Sequence, residues 1–361
     1  MKESLLHLLR ITGAFAPFRW ANRGQALICS YHRFSEHEGG APISARAFAE
    51  QVKYLSAHYT LVSLSRLANC LLSGRDMPPR LAAITIDDGY HDAYEIAFPI
   101  LRKHRAPATI FVVTEFVEGA TWLWTDKTRY LTTVASPQVI EVGLERRRMR
   151  LELTGRSSRA VAASVINAAL KRLPEGARDA AIGRLASTLR TSLPERTPVG
   201  YRAINWRQAR EMADAGIEIG SHTLTHPILT GLSDERLRDE VSQSRDRIQK
   251  AIGRKVETFC YPNGDYDPRA QLEVARAGYR LAVTTEVGLN DKWNDLLALR
   301  RIHGEYDLAR FVKNTSGFDI WRNDKLSFIQ EHLSTQRGKV SKGRKTGGKK
   351  LSRPSSSPST T

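Results

Sequence analysis

The stretch "AITIDDGYHD", residues 83–92, runs from apolar residues straight into two adjacent acids and a glycine. An apolar run without internal alternation reads as a strand covered on both faces. Asp87, Asp88 and Gly89 then read as the polar turn that ends it. The question is why a chain would place two carboxylates side by side there.

Working outward, the same rhythm recurs on both sides. "ALICSYHRF" (26–34) is another apolar run, closing in a polar cluster that contains His32. In "SARAFAEQVKYLSAHY" (44–59), Phe48, Val52 and Leu55 recur at helical steps. "YHDAYEIAFPILRKHR" (90–105) reads as a helix whose apolar stripe includes Ala97 and Leu101, and "PATIFVV" (107–113) as a second doubly covered strand. The rhythm then lapses. Residues 118–203 hold "LERRRMRLEL" and "AVAASVINAALKRL", basic and helix-favouring, which predict a helical insertion. It resumes with the helix "WRQAREMADAG", the strand "IEIGSH" and the helix "SDERLRDEVSQSRDRIQKAIG", in which Ser233 is the expected N-cap and Gly253 the expected stop. "VETFCYPNG", "RAQLEVARAG", "YRLAVTT" and "LRRIHGEYD" complete the ordered part. Strands alternating with helices give an α/β class with a mostly parallel sheet or barrel.

Composition narrows the function classes. A chain of 361 residues, 41% hydrophobic, buries a real core. Its net charge of +17 suggests nucleic acid, yet residues 336–361 alone carry eight Lys and Arg and no acid, leaving about +9 for the rest. That tail, rich in Gly, Ser, Pro and Lys, predicts disorder over 334–361. With no recognisable nucleic-acid module, no specific nucleic-acid partner is expected. Cys29, Cys70 and Cys260 lack metal-type spacing and are read as buried thiols, which fits a reducing compartment. The segment 1–25 is amphipathic. His7 and Arg10 interrupt its apolar stretch, so neither a signal peptide nor a transmembrane helix is evident, and a cytoplasmic location is expected. Leu5, Leu8, Leu9 and Phe15 can share a helix face that docks on the protein's own core or rests on a membrane surface. The basic tail is the other candidate for peripheral membrane contact.

Three short stretches each end a predicted strand: Asp87-Asp88-Gly89, "SHTLTHP" (221–227) and "FCYPNG" (259–264). In a (β/α) barrel, the C-terminal strand ends form a single rim where catalytic groups meet. His222 and His226, spaced four apart, would lie on one face of a helical turn, so that both imidazoles could reach one ion. Asp88 could supply a third, oxygen ligand. Asp87, beside the ion but not bound to it, could then take a proton from a water that the ion acidifies. Two adjacent acids would divide the labour, one binding and one abstracting.

With these residues in view, the chain resembles the polysaccharide deacetylases, the NodB-homology family (carbohydrate esterase family four). "TIDDGY", "SHTLTHP" and "FCYPNG" stand in the order of that family's first three motifs, and "WRQAREMADAGIEIGSHTLTHP" is similar to its approach to the second. The resemblance covers about Ala26 to Phe318, with 118–203 less typical, and places a NodB-homology domain over 26–320. It implies a distorted (β/α)7-8 barrel and metal-dependent removal of N-acetyl groups from N-acetylglucosamine-type oligo- or polysaccharides, such as chitooligosaccharide or a bacterial surface-glycan precursor. Asp87 resembles the general base, and Asp88, His222 and His226 the ligands of one divalent ion. A His₂Asp set suits Zn, with Co, Ni or Mn also accommodated. The segment Tyr261, Pro262 and Asn263 would line the acyl groove, with a main-chain N–H there available to an oxyanion.

Two positions depart from the family pattern. Many members carry an arginine where this chain has Cys260, and Arg301 is the candidate substitute for orienting Asp87. His303, in "LRRIHG", is a loose counterpart of the family's late histidine and the candidate general acid, with a structural histidine as the alternative. His32 could line the groove or be structural, and Trp124, opening the insertion beside Asp126, could stack on a sugar or pack in the core. The alternative to an enzyme is a catalytically lapsed glycan-binding barrel of the same fold. The glycan itself is not legible.

Overall fold

The computed structural model describes residues 3–38, 43–73, 78–144 and 147–322. Seven parallel strands close into a barrel: β1 (Leu27–Tyr31), β2 (Leu81–Ile86), β3 (Thr109–Val112), β4 (Glu218–Ser221), β5 (Thr258–Cys260), β6 (Leu281–Val287) and β7 (Leu299–His303). They follow one another around the ring in chain order, and β1 pairs with both β2 and β7 to seal it. The expected seven or eight strands are therefore seven, with the two-residue strand Thr60–Leu61 added on the outside of β2.

All six residues of β2 are buried, and their alternation assigns each a layer. Ala82, Ile84 and Ile86 pack outward against the helices, whereas Leu81 and Ala83 join the interior cluster with Ile28, Phe111, Val283 and Leu299. Because strand side chains alternate, the inward parity of 81, 83 and 85 carries on to Asp87 at the mouth. On β7 the interior Leu299 sets the same parity for Arg301 and His303, while Ile302 joins the outer layer.

The outer layer consists chiefly of α2 (Ala45–His58), α3 (Phe98–His104), α7 (Trp206–Asp214), α8 (Asp234–Ile252), α9 (Pro268–Arg276) and α10 (Leu308–Thr315), with α1 (Glu3–Ile11) packed on α10. α8 begins and ends as its sequence predicts. The Arg236 N–H donates to Ser233 Oγ at 3.3 Å, and Gly253 ends the helix in the left-handed region at φ 68°. The predicted helix over 90–105 is irregular, a π turn at Ala93–Ala97 leading into α3 with Pro99 in its first turn.

The insertion differs from expectation. Helices α4 (Trp124–Val134), α5 (Arg156–Leu170) and α6 (Glu175–Thr188) are present, but the described residues of "LERRRMRLEL" form no helix. Val139–Leu144 and Arg147–Glu152 pair antiparallel. The cause is a period of two: Ile140, Val142, Leu151 and Leu153 are buried while Glu141, Arg150 and Glu152 are exposed. These residues share an apolar cluster with Leu131, Ile166, Ile182 and Leu185, separate from the barrel core. Tertiary burial has overridden the helix propensity of a short basic run.

The N-terminal face is also corrected. Leu6 and Phe15, with Leu9 partly buried, dock against Ala309 and Val312, whereas Leu5 and Leu8 are exposed. No helix among the described residues is long and apolar enough to cross a membrane. Cys29 and Cys260 are buried and Cys70 half-buried, all as free thiols. The expected basic tail over 334–361 lies outside the described residues.

Gly220 in β4 leaves no room for a side chain. A Cβ there would stand 2.5 Å from the Phe111 ring and 2.6 Å from Thr258 Oγ1. Gly220→Ala should therefore cost about 1–3 kcal/mol through forced overpacking. A thermal or urea melt of the variant checks this.

Candidate active site

The rim at the C-terminal ends of the strands encloses a cavity of about 380 Å³. Asp87, Asp88, His222, His226, Tyr261, Asn263, Arg301, His303 and His32 all line it. Pro262 is not among the lining residues: it is buried and starts the single turn Pro262–Gly264 behind the wall.

The first two motifs meet at Asp88. Its Oδ1 lies 3.5 Å from the Nε2 of both His222 and His226, and the three ligating atoms fall within 4.8 Å of one another. The backbone achieves this by a route the sequence reading did not foresee. Asp88 and Gly89 are both left-handed, at φ 73° and 77°. The histidine pair lies on no helical turn: His222 follows β4 directly, and the loop back to His226 has positive φ at Thr223 (70°) and His226 (63°). Non-glycine residues in that region cost of order 1–3 kcal/mol each. Glu240 on α8 holds the loop in place. Its Oε2 accepts from the Leu224 and Thr225 N–H groups at 2.9 Å each, and its Oε1 from the Thr225 hydroxyl at 2.6 Å. The His226 N–H in turn donates to Thr223 Oγ1 at 3.0 Å.

These residues fit a metal. His222 Nδ1 lies 2.7 Å from the Cys260 carbonyl oxygen, so that nitrogen carries a proton and Nε2 is turned toward Asp88. Burial, with His222 adding to it, pushes the His226 pKa down to about 3, leaving a neutral imidazole. Burial lowers the His222 pKa, but Cys260 and Asp88 outweigh it and raise it, so a bound ion would take the place of its Nε2 proton; two imidazole nitrogens and a carboxylate oxygen then form a donor set for a borderline divalent ion. Separations of 3.5 Å are close to the edge of a tetrahedron with bonds of roughly 2.0–2.1 Å.

Asp87 has a different environment. Arg301 reaches from β7 to grip it bidentately, Nη1 to Oδ1 at 2.7 Å and Nη2 to Oδ2 at 2.8 Å, both residues being fully buried. Arg301 is itself fixed by donating to Thr284 O at 2.7 Å and Thr85 Oγ1 at 3.1 Å. Cys260 Sγ lies 3.6 Å and His32 Nε2 3.4 Å from Asp87 Oδ2. Burial alone would raise this carboxyl. The Arg301 guanidinium, and after it His32, outweigh burial and hold it down at about 2.

His303, also on β7, places Nδ1 2.8 Å from Ser30 Oγ. Its pKa is lowered by burial and by the neighbouring Arg301 and His32. In the third motif the Tyr261 N–H donates to Val283 O at 3.2 Å, so that main-chain donor is already engaged by the barrel ladder. Asn263, left-handed at φ 56°, has a buried side-chain Nδ2 without a partner. Trp124 is buried under the Arg178 guanidinium, 4.7 Å over its ring, and packs in the insertion's core.

Sequence reading missed Arg33, Arg129 and Tyr306 in the cavity wall, and Glu240 behind it. Arg33 lies 4.1 Å over the Tyr90 ring and bonds Asp92 at 2.6 Å. The Tyr90 hydroxyl donates to Asp126 at 2.5 Å, and Arg129 pairs with the same buried carboxylate at 3.0 Å. A basic residue directly after His32 and an acid two past Trp124 were the only signals available.

Comparison with known proteins comes to the same fold. The sequence pattern of the family described as polysaccharide deacetylase matches residues 74–282, more than half of the chain. The Bacillus subtilis (strain 168) protein YxkH is 21% identical over 277 residues, 76% of this chain and 70% of that protein. Among solved structures, the Streptococcus pyogenes deacetylase PplD in complex with acetate superposes with TM-score 0.54 at 19% identity, over 81% of this chain and 98% of that one. IcaB from Ammonifex degensii gives TM-score 0.54 at 18% identity, over 81% and 97%.

The Asp87–Arg301 pair generates a two-part prediction. Its stabilisation is present above the ordinary carboxylate range and is lost as pH falls through about 2, because the folded state holds the proton less tightly than the unfolded chain. Arg301→Ala should leave a buried carboxylate unpaired and cost about 3–5 kcal/mol at neutral pH. It should also raise the Asp87 pKa and move the acidic limb of any pH–rate profile upward. Denaturant melts and the profile together check both parts.

Proposed function

The chain belongs to the polysaccharide deacetylase family, and on that footing we propose that it hydrolyses N-acetyl groups on N-acetylglucosamine-type oligo- or polysaccharides with one divalent ion. The observation that carries this reading is the contrast between adjacent carboxylates. Asp88 faces two imidazole nitrogens, and Asp87 faces a guanidinium. Asp88, His222 and His226 would hold the ion, with Zn the best match to their chemistry. When bound, the ion would polarise the acetamide carbonyl and acidify a water beside it.

The protein's own groups account for the protons. Asp87, ionised throughout the neutral range, takes a proton from the attacking water at a carboxylate oxygen. Arg301 keeps that carboxylate oriented and its charge compensated. A C–O bond forms at the acyl carbon, the C–N bond breaks, and the leaving nitrogen needs a proton; His303, its Nδ1 fixed on Ser30, would deliver it in its imidazolium form, which its lowered pKa confines to the acidic side of the ordinary histidine range. Tyr261 and Asn263 would shape the acyl side of the cavity, and His32 the side nearer Asp87. Arg301 compensates for the arginine lacking at Cys260, which favours an active enzyme over a lapsed binding barrel.

Acetate release from acetylated chitooligosaccharides and surface-glycan fragments, with metal-stripped protein as control, tests the reading. No release from any of them by the metal-loaded chain would overturn it. His222→Ala and His226→Ala should each lower metal content and turnover together, since three protein ligands leave little redundancy. Asp87→Asn should keep its metal while kcat falls by about 10²–10⁴. His303→Ala should keep its metal too, lose about 10² in kcat and lose the alkaline limb of the pH–rate profile. Elemental analysis beside the kinetics separates these outcomes.

A further inference from the structure

A second cavity, of about 980 Å³, opens beside the first between the barrel rim and the insertion. The two adjoin: Arg33, Thr125, Arg129 and Asn263 line both. Its floor is the small-residue face of α5, with Ala160, Ala163 and Ala168, and its sides include Trp124 and Tyr201.

What distinguishes it is the sign of its polar groups. Five cations line it, Arg33, Arg129, Arg156, Arg159 and Lys171, and no acid does among the described lining residues. Three are balanced from behind, Arg33 by Asp92, Arg129 by Asp126 and Lys171 by Asp265. Arg159 donates to the Thr132 and Thr133 carbonyl oxygens, and neither it nor Arg156 has a carboxylate partner among the described residues. Two further lining donors are buried without an acceptor, Trp124 Nε1 and Asn263 Nδ2. A buried donor left unpaired is costly. A wall rich in unpaired donors and net positive charge calls for an oxygen-rich anion.

We infer that this cavity binds an anionic group, phosphate ester or carboxylate, carried by the glycan next to the sugar in the first cavity. The inference rests on the glycan-deacetylase reading and adds the substrate's charge to it. Phosphate and carboxylate share the chemistry the wall offers, charge-assisted hydrogen bonds from guanidinium groups. Arg33 and Arg129, at the junction, are placed to hold the bridge between the two sugars. The apolar floor would take a sugar face.

The test uses disaccharides without an acetamide, so that binding is read apart from turnover. Calorimetry on the full-length, metal-loaded chain compares cellobiose, cellobiose 1-phosphate and cellobiouronic acid. At least one anionic disaccharide should bind about 10-fold tighter than cellobiose, the worth of one or two charge-assisted hydrogen bonds. Which one gains tells phosphate from carboxylate. That gain should vanish in Arg156→Ala/Arg159→Ala and persist in Arg184→Ala, an exposed cation of α6 outside the cavity wall. Should loss of the Arg159 carbonyl contacts unfold the double variant, Arg156→Ala alone, at an exposed position, should still lower the gain severalfold. Equal affinity for all three disaccharides, or a gain that survives the double variant, overturns the inference. Failure of acetate release would instead strike the deacetylase reading and leave the binding result standing.

Discussion

The buried pair between Asp87 and Arg301 is the constraint around which the barrel mouth is organised. Taking two charges out of water costs several kcal/mol per ion, and only good geometry with every remaining donor satisfied offsets it. Here the guanidinium meets both carboxylate oxygens, a threonine hydroxyl on β2 and a carbonyl on β6. One side chain from β7 thus ties its neighbour β6 to β2, two places away across β1. A pair this enclosed keeps Asp87 ionised but makes it a weak base at rest. In the proposed mechanism its basicity would come from proximity to an acidified water rather than from a raised pKa, unlike carboxylates tuned by burial alone.

The neighbouring Asp88, His222 and His226 illustrate the opposite economy. Four of the residues within the first two motifs have positive φ, three of them without the freedom of glycine. Such strain persists only where the surroundings over-determine it. Glu240 does so from α8, accepting two backbone N–H groups and a hydroxyl of the histidine loop, although it never reaches the cavity wall. Its carboxyl is raised by burial and lowered again by those donors. The loop's geometry is therefore maintained by a helix that carries none of the motif residues.

How much of this was legible follows from the range of each interaction. The alternation of strands and helices and the caps of α8 depend on neighbours within a few residues, so local patterns such as 82–86 carried them. The bond between Arg301 and Asp87 spans 214 positions, and the sequence offered only a basic residue of suitable parity. The histidine pair was legible as a pair, but not its backbone: spacing of four suggested a helical turn, and the left-handed residues Thr223 and His226 carry no composition signal. In 144–153, charge and propensity suggested a helix, while the alternation of Ile140, Val142, Leu151 and Leu153 was visible only with the partner strand included. Trp124 could be read equally as a sugar platform or as core because its covering, Arg178, comes from a distant helix.

Barrel and insertion are not independent walls. Tyr90, the residue after the DDG turn, donates its hydroxyl to Asp126 on α4, and Arg33, which follows His32, lies on the Tyr90 ring. Asp126 is buried and shared with Arg129, which lines both cavities. The backbone joins in, with the Ile204 N–H at the end of the insertion donating to Gly89 O at 2.9 Å. A shift of α4 would therefore be felt at the turn that presents Asp87 and Asp88, through polar groups that low dielectric makes costly to separate. The chemistry belongs to the strand ends, which any barrel of this kind supplies. The shape and charge of the adjoining space belong to the insertion, and this network fixes one against the other, so that selectivity can vary with the insertion while the reacting groups stay in place.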